Sequence, residues 1–505
     1  MRSFETTSAQ SAHTTSHNIP EYEHLLRHQA FLGGSWVDAD DGTSFGVTNP
    51  ATGKLIGTVP NLGVAQIERA IAESRVAFFT WRKLLPQDRA KTIHRWGQLI
   101  VDNKMSLASL LTVEQGKPLT EAIGEIEYAA GFAFWFAEEA KRLYGEIIPS
   151  HLPSRKMLVK REPIGVVAAI TPWNFPVAML VRKAAAALAA GSTVVACPSR
   201  ETPFSALALA ALAEEAGLLK GTFSVLTGEP EVVVPELCTA KHIRAVSFTG
   251  STEIGRLLLS LCASTVKRTC MELGGHAPLI IFEDADIDVS VEAAMAAKFQ
   301  TSGQDCLAAN RIFVHADLYD RFVRKFGAAV EKLKVGNGFE QGVQIGPLMN
   351  ERAIGKCVEH IQDALAHGAR LVAGGKRHHL GGNFMQPTVL ADVTPDMKIF
   401  REETFGPVAA ILRFDNETQV IESANDSEFG LAAYVYTNDS SRSWRLSDEL
   451  EYGMVGVNTT QITGSPIPFG GIKQSGHGRE GARQGIDEFT NLKYVCFFTG
   501  EESNQ

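Results

Sequence analysis

Hydrophobic residues recur at three- and four-residue intervals from Val64 to Trp81, from Pro86 to Gln115 and from Glu121 to Tyr144, which predicts a helical opening. Ahead of them, Phe31-Leu-Gly-Gly-Ser-Trp-Val37 reads as a strand and turn, and Asn49-Pro-Ala-Thr-Gly53 as a turn. The pattern then changes. Ile164 to Ile170 is a continuous apolar run, Val177 to Ala190 is helical, and Thr193 to Ala196 is a short strand-like run. Pro203 to Ala216 is helical again, followed by strand-like Phe223 to Leu226 and Ala245 to Phe248. Apolar strands alternating with helices predict an α/β fold, with a parallel sheet covered on both faces. A second alternating block follows Gly275, with Pro278 to Phe282, a helix from Val289 to Phe299 and Arg311 to Val314, and runs to about Gly453. No fixed-period repeat is visible.

A chain of 505 residues exceeds one ordinary core, so two or three domains are expected. With 45 % hydrophobic and 21 % charged residues it has the composition of a globular protein. The formal charge of −9 disfavours nucleic acid, whose phosphates need clustered Lys and Arg, and gives no electrostatic reason to bind an acidic membrane. No apolar run approaches the roughly 20 residues that span a bilayer. Residues 1–27 are expected to be a flexible tail: up to about Tyr22 they are rich in Ser, Thr and His, with neither the apolar segment of a secretory signal nor the acid-poor, Arg-rich character of a transit peptide. The seven cysteines are scattered, odd in number and without a CxxC pair. That argues against a zinc site or a disulfide framework and fits a reducing cytoplasm.

Four short segments carry candidate chemistry. Phe248-Thr-Gly-Ser-Thr-Glu-Ile-Gly255 joins a predicted strand to a predicted helix. It is either a structural turn or a phosphate cradle, in which Gly250 and Gly255 let the backbone turn and Ser251 donates to a pyrophosphate at the helix N-terminus. Glu272-Leu-Gly-Gly275 is a surface carboxylate at a turn or a buried general base whose pKa must rise toward neutrality. Gly303-Gln-Asp-Cys306 presents a cysteine that is a core thiol or, in an electropositive pocket, a nucleophile. Thr171-Pro-Trp-Asn-Phe-Pro176 follows a strand end, so Asn174 is a loop cap or a rigidly held oxyanion donor. His276 and His477 are isolated and read as structural or solvent-exposed.

Taken in order with Glu402-Glu-Thr-Phe-Gly-Pro407 and Pro468-Phe-Gly-Gly471, these segments resemble the aldehyde dehydrogenase superfamily from about Phe31 to Phe498, including the separation of 34 positions from Glu272 to Cys306. The resemblance implies NAD or NADP as cofactor and a small-molecule aldehyde as substrate. It casts Cys306 as the nucleophile, Asn174 and the Cys306 N–H as the oxyanion hole, and Glu272 as the base that hydrolyses the thioester. Trp173, Ser199, Arg200, Gly228, Gly250, Ser251, Gly255, Leu273, Glu403 and Phe405 match cofactor-binding positions. The implied architecture is a Rossmann-like dinucleotide-binding domain (28–145 and 162–273), an α/β catalytic domain (274–465) and a small β oligomerisation element (146–161 and 484–500), in a homodimer or homotetramer.

The chain departs from the family pattern at several places. Cys197 stands where relatives carry a lysine that bonds the adenosine ribose. Arg200 stands where NAD-preferring relatives often carry Glu, which leans the reading toward NADP or dual use because Arg can pair with a 2′-phosphate. Long stretches are most similar to the succinate-semialdehyde dehydrogenase group, in which two arginines hold the distal carboxylate. Arg182 matches the first, but the second falls at Gln300. Another anionic aldehyde or a less polar one is therefore the alternative substrate. Ala308 replaces the second cysteine many relatives carry, which excludes a redox disulfide there. Two rival readings stay in view. A CoA-acylating dehydrogenase would lack the base, and a catalytically silent relative would be damaged at Cys306, Glu272 or Asn174.

Overall fold

The computed structural model describes residues 21–500. The expected tail lies mostly outside the described residues; within them the chain is anchored earlier than 27, because Leu25, in a short 3-10 turn Glu23–Leu25, is buried in the first core.

Two large sheets organise the fold. The first has eight strands in the order Gly476–His477, Arg268–Glu272, Ile243–Thr249, Val166–Ile170, Thr193–Cys197, Phe223–Val225, Ala30–Leu32 and Ser35–Val37. Its five central strands are parallel. All five residues of Val166–Ile170 and of Thr193–Cys197 are buried, as a sheet covered on both faces requires. The second sheet runs Arg370–Ala373, Thr388–Ala391, Val408–Phe414, Ala309–His315, Ala277–Ile281, Ala432–Tyr436 and Met454–Val457, parallel except at its first pair. A third, antiparallel sheet joins Thr490–Phe498, Arg155–Pro163 and Glu146–Ile148.

Local chemistry explains the helices that matter for the site. Pro176–Ala190 starts on a proline, whose missing N–H costs nothing at a first turn, and stops at Gly191 in the left-handed region; every residue of it is buried. Thr252–Ala263 is capped by the Ser251 hydroxyl, which accepts from the Ile254 N–H. Asp286 caps Ile287–Phe299 in the same manner. The expected single helix from Pro86 to Gln115 is two, Pro86–Asp102 and Lys104–Gln115. Asn103 leaves helical geometry and its side-chain amide donates to the Leu99 carbonyl at 2.9 Å, a local competition that asparagine favours. Pro230–Thr239 is a helix that the periodicity did not predict.

In the first sheet, successive connections from Val166–Ile170 and Ile243–Thr249 diverge to opposite sides, so a crevice opens beyond their carboxyl ends. Thr171–Asn174 leaves one end and Gly250–Ser251 the other. The second sheet presents the 300–306 loop to this crevice, and two backbone approaches hold that loop. A Cβ on Gly275 would lie 2.0 Å from the Cys306 carbonyl oxygen, and one on Gly303 would lie 2.3 Å from that of Gly406. Gly303 also has φ +72°, within a kink where Thr301 and Ser302 are left-handed too. We expect Gly303→Ala to cost about 1–3 kcal/mol, from backbone displacement and left-handed strain together. A lowered melting temperature with a slower Cys306 alkylation rate would show it; unchanged values would remove the constraint.

Candidate active site

Asn174, Glu272 and Cys306 converge. The Asn174 side-chain amide donates one hydrogen to the Gln304 carbonyl at 3.0 Å, two residues before the cysteine, while its own oxygen accepts from the Phe175 N–H at 3.1 Å. The second amide hydrogen and the Cys306 N–H have no partner among the described residues. Gln304 is pinned in turn, with its side-chain oxygen accepting from the Met349 N–H at 2.9 Å and its amide donating to the Thr301 carbonyl at 3.2 Å. Cys306 is half-buried, whereas five of the other six thiols are buried and Cys496 is exposed.

Glu272 ends the strand Arg268–Glu272 and is 2 % exposed, with both carboxylate oxygens lacking a hydrogen-bond partner among the described residues. Burial, aggravated by the nearby Glu480, pushes its pKa well above the usual carboxylate range, against the pull of Arg182 and Lys183. Burial also pushes the Cys306 thiol up, with Asp305, Glu403 and Glu272 adding to the shift and Arg182 opposing it. The pocket alone is therefore not one that stabilises a thiolate.

Behind the carboxylate lies a buried charge network. Glu480 pairs with Arg182 Nε at 2.6 Å and with Lys183, whose ammonium also donates to Thr249 Oγ1 at 2.7 Å and Ser247 Oγ at 3.2 Å. Arg182 lies over the Phe469 ring at 4.2 Å and beside Tyr128, and its Nη1 has no hydrogen-bond partner among the described residues. On the far side of the crevice, Glu403 accepts from the Gly275 N–H at 3.0 Å and is pushed up to about 7 by burial. Phe405, at φ +55°, meets Trp173 edge-on with 5.6 Å between ring centres.

The sequence profile of the Aldehyde dehydrogenase family matches residues 36–495. The chain is 52 % identical to a glutarate-semialdehyde dehydrogenase of Pseudomonas aeruginosa, over 94 % of this chain and 98 % of that protein. It is also 52 % identical, with the same coverage, to the succinate-semialdehyde dehydrogenase [NADP(+)] GabD of Escherichia coli. A crystal structure of succinate-semialdehyde dehydrogenase from Burkholderia pseudomallei superposes with a TM-score of 0.94 at 52 % identity, covering 96 % of this chain and 100 % of that one. This chain belongs to the aldehyde dehydrogenase family. Its fold is the aldehyde dehydrogenase fold, and it is an NAD(P)-dependent oxidoreductase acting on an aldehyde group.

The positions matched to the family's cofactor loop make specific contacts. The N–H groups of Thr252 and Glu253, in the first turn of Thr252–Ala263, have no partner among the described residues and flank Gly250 at the strand end. These open donors fit an anionic pyrophosphate. Ser251 was expected to donate to that group; its oxygen is used as a helix cap, which leaves the hydroxyl hydrogen free. Gly255 packs against Leu273, whose side chain a Cβ there would crowd. Gly228, at φ +158°, passes close to Leu62 and Val233. Two of these positions are already engaged within the chain. The Ser199 hydroxyl already donates to Glu201, and Arg200 is neither free nor in bulk solvent: it pairs with Glu229 and lies 4.4 Å over the Phe45 ring. Cys197, which stands where the family pattern has a lysine, is buried, and its thiol is pushed up to about 12.

Arg182, expected to meet a substrate carboxylate, is already paired with Glu480, and Gln300 is exposed at the end of Ile287–Phe299. His276 is a core residue, with Nε2 bonded to the Phe400 carbonyl, whereas His477 is exposed against Thr269. Sequence reading missed Lys183, Glu480, Tyr128 and the buried Lys117–Glu125 pair. Lys183 directly follows Arg182, and a second basic residue on an otherwise apolar buried helix was the available signal. We expect Arg200→Glu to lower the NADP-to-NAD ratio of kcat/KM by about tenfold or more, through like-charge repulsion of a 2′-phosphate. An unchanged ratio in paired steady-state assays would remove Arg200 as a selector.

Proposed function

We propose that this protein oxidises a semialdehyde, with succinate semialdehyde as the first substrate to test, through a covalent intermediate on Cys306. The observation that supports it best is the Asn174 amide bonded to the loop of Cys306, with an unpartnered, buried Glu272 in the same crevice. Cys306 gives its proton to solvent water and its sulfur bonds to the aldehyde carbon. The free Asn174 hydrogen and the Cys306 N–H hold the negative charge on the former carbonyl oxygen. Bound NAD or NADP supplies the acceptor for hydride. Hydride departure leaves a thioester; Glu272 takes a proton from the water that attacks it and returns that proton to the departing sulfur, which releases the carboxylic acid and restores the thiol. Because a base is retained at Glu272, hydrolysis is favoured over transfer to CoA.

Trp173, Ser199, Arg200, Gly228, Gly250, Ser251, Gly255, Leu273, Glu403 and Phe405 would hold the cofactor. Relatives of equal identity are named for succinate and glutarate semialdehydes, one of them with NADP, which suits an anionic substrate and a lean to NADP or dual use. With Arg182 partly neutralised and Gln300 in place of a second arginine, a longer or more weakly held anion remains the alternative. We read the first sheet as the dinucleotide-binding unit, the second as the catalytic unit and the third as the oligomerisation element. Scattered free thiols, mostly buried, suit the cytoplasm.

Glu272→Gln should retain a burst of reduced cofactor near one per subunit while slowing turnover about 10²–10⁴-fold. Cys306→Ala should abolish both. Parental turnover should climb from neutral toward alkaline pH, since the raised Glu272 and Cys306 groups act deprotonated. These measurements are made across a panel of aldehydes with each cofactor. A Cys306→Ala enzyme at the parental rate would end the proposal.

The three-stranded sheet supports a homodimer or homotetramer. Ile147 is 91 % exposed, and Leu492, Tyr494, Phe497 and Phe498 are exposed on the same sheet, more apolar surface than an unpaired edge tolerates in water. Analytical ultracentrifugation should find an oligomer that Leu492→Lys with Phe498→Lys dissociates. A monomeric parent protein would refute it.

A further inference from the structure

The segment 114–125 lies outside the crevice, yet it supplies a polar group to three elements that build it. Glu114 accepts from the N–H groups of Phe204 and Ser205, at the start of Pro203–Glu215. Glu125 accepts from the N–H groups of Val177 and Ala178 at 3.0 and 3.2 Å, the first turn of the helix that follows Asn174. Glu121 accepts from the Thr301 N–H at 2.8 Å, inside the left-handed kink that leads to Cys306. Lys117 closes the set: its ammonium donates to the Asn174 carbonyl at 2.7 Å and to the free oxygen of Glu125 at 2.6 Å, and lies 3.9 Å over the Phe175 ring. Neither side chain of the Lys117–Glu125 pair reaches solvent.

An ion pair so enclosed is a costly way to gain stability, because an apolar pair of similar volume often does as well. Its hydrogen bonds explain its presence better. They fix the Asn174 backbone from one side and the next helical turn from the other, so the side-chain amide between them has one orientation. We propose that Lys117 and Glu125 are positioning residues for the oxyanion donor, which hold the Asn174 amide at the distance from Cys306 at which the tetrahedral oxygen forms. Neither touches substrate or cofactor. They act through Asn174, while Glu121 sets the facing loop from the same helix, Leu119–Glu139.

This inference rests on the thioester reading above, and one experiment separates the two. Stopped-flow formation of reduced cofactor in the first turnover is measured for the parent, Lys117→Met and Glu125→Gln, with Cys306 alkylation counting active sites. The parent should show the burst; its absence would sink the thioester reading. Lys117→Met should slow the first turnover per active site roughly tenfold to hundredfold, short of losing an oxyanion donor outright. Its alkylation rate and aldehyde KM should stay near parental. A merely structural pair would lower the melting temperature and the number of active sites but leave the rate per site unchanged, and that result would overturn the proposal. Glu125→Gln keeps every heavy-atom position and carries the same readout if Lys117→Met does not fold. If neither folds, the pair is a requirement of folding and the proposal fails.

Discussion

A single 3.0 Å hydrogen bond from the Asn174 amide to the Gln304 carbonyl joins the strand end of one sheet to the loop of the other. Everything chemical depends on that apposition. A carbonyl carbon can be attacked by sulfur and have its oxygen charge stabilised at once only if the thiol and the donors come from opposite walls of a narrow crevice. The backbone contacts at Gly275 and Gly303 bring the loop close, and the amide of Asn174 sets how close. Without either, the three functional groups would still exist on the chain but would not share a substrate atom.

The electrostatics follow from the same closeness. Glu272 and Glu480 are both buried, and Arg182 and Lys183 satisfy only one of them. The network therefore divides its carboxylates by role: Glu480 is held below its ordinary pKa by its two cations, while Glu272 is pushed well above. A buried carboxylate with no donor of its own is costly to keep, and the proposed role of Glu272 as a base for water would give that cost a use. The raised thiol of Cys306 fits the same reading, since a nucleophile poised for activation need not be ionised in the free pocket.

Much of the parallel-sheet scaffold was legible from patterning. Val166–Ile170, Pro176–Ala190 and Ile287–Phe299 lie within a few residues of the elements that apolar runs and helical spacing predict. Where prediction failed, the cause was local side-chain chemistry, as at Asn103, or a helix such as Pro230–Thr239 with a proline inside it. The site was legible in part. Asn174, Glu272 and Cys306 stood in recognisable motifs, but nothing in the local sequence distinguished Cys306 from six other thiols until the order of the motifs resembled a family. The engaged states of Ser199, Arg200 and Arg182 were not legible, because two of their three partners, Glu229 and Glu480, lie far along the chain.

The sequence by itself determined the alternation of strand and helix, the turns and caps, and which residue types were available for chemistry, because these depend on neighbours within a few positions. Tertiary structure alone decided which thiol is half open, which carboxylate lies unpartnered and which arginines are already paired. Exposure, desolvation and charge pairing are properties of what surrounds a group in space, and the surroundings of Glu272 and Asn174 come from segments as distant as Lys117, Gln304 and Glu480.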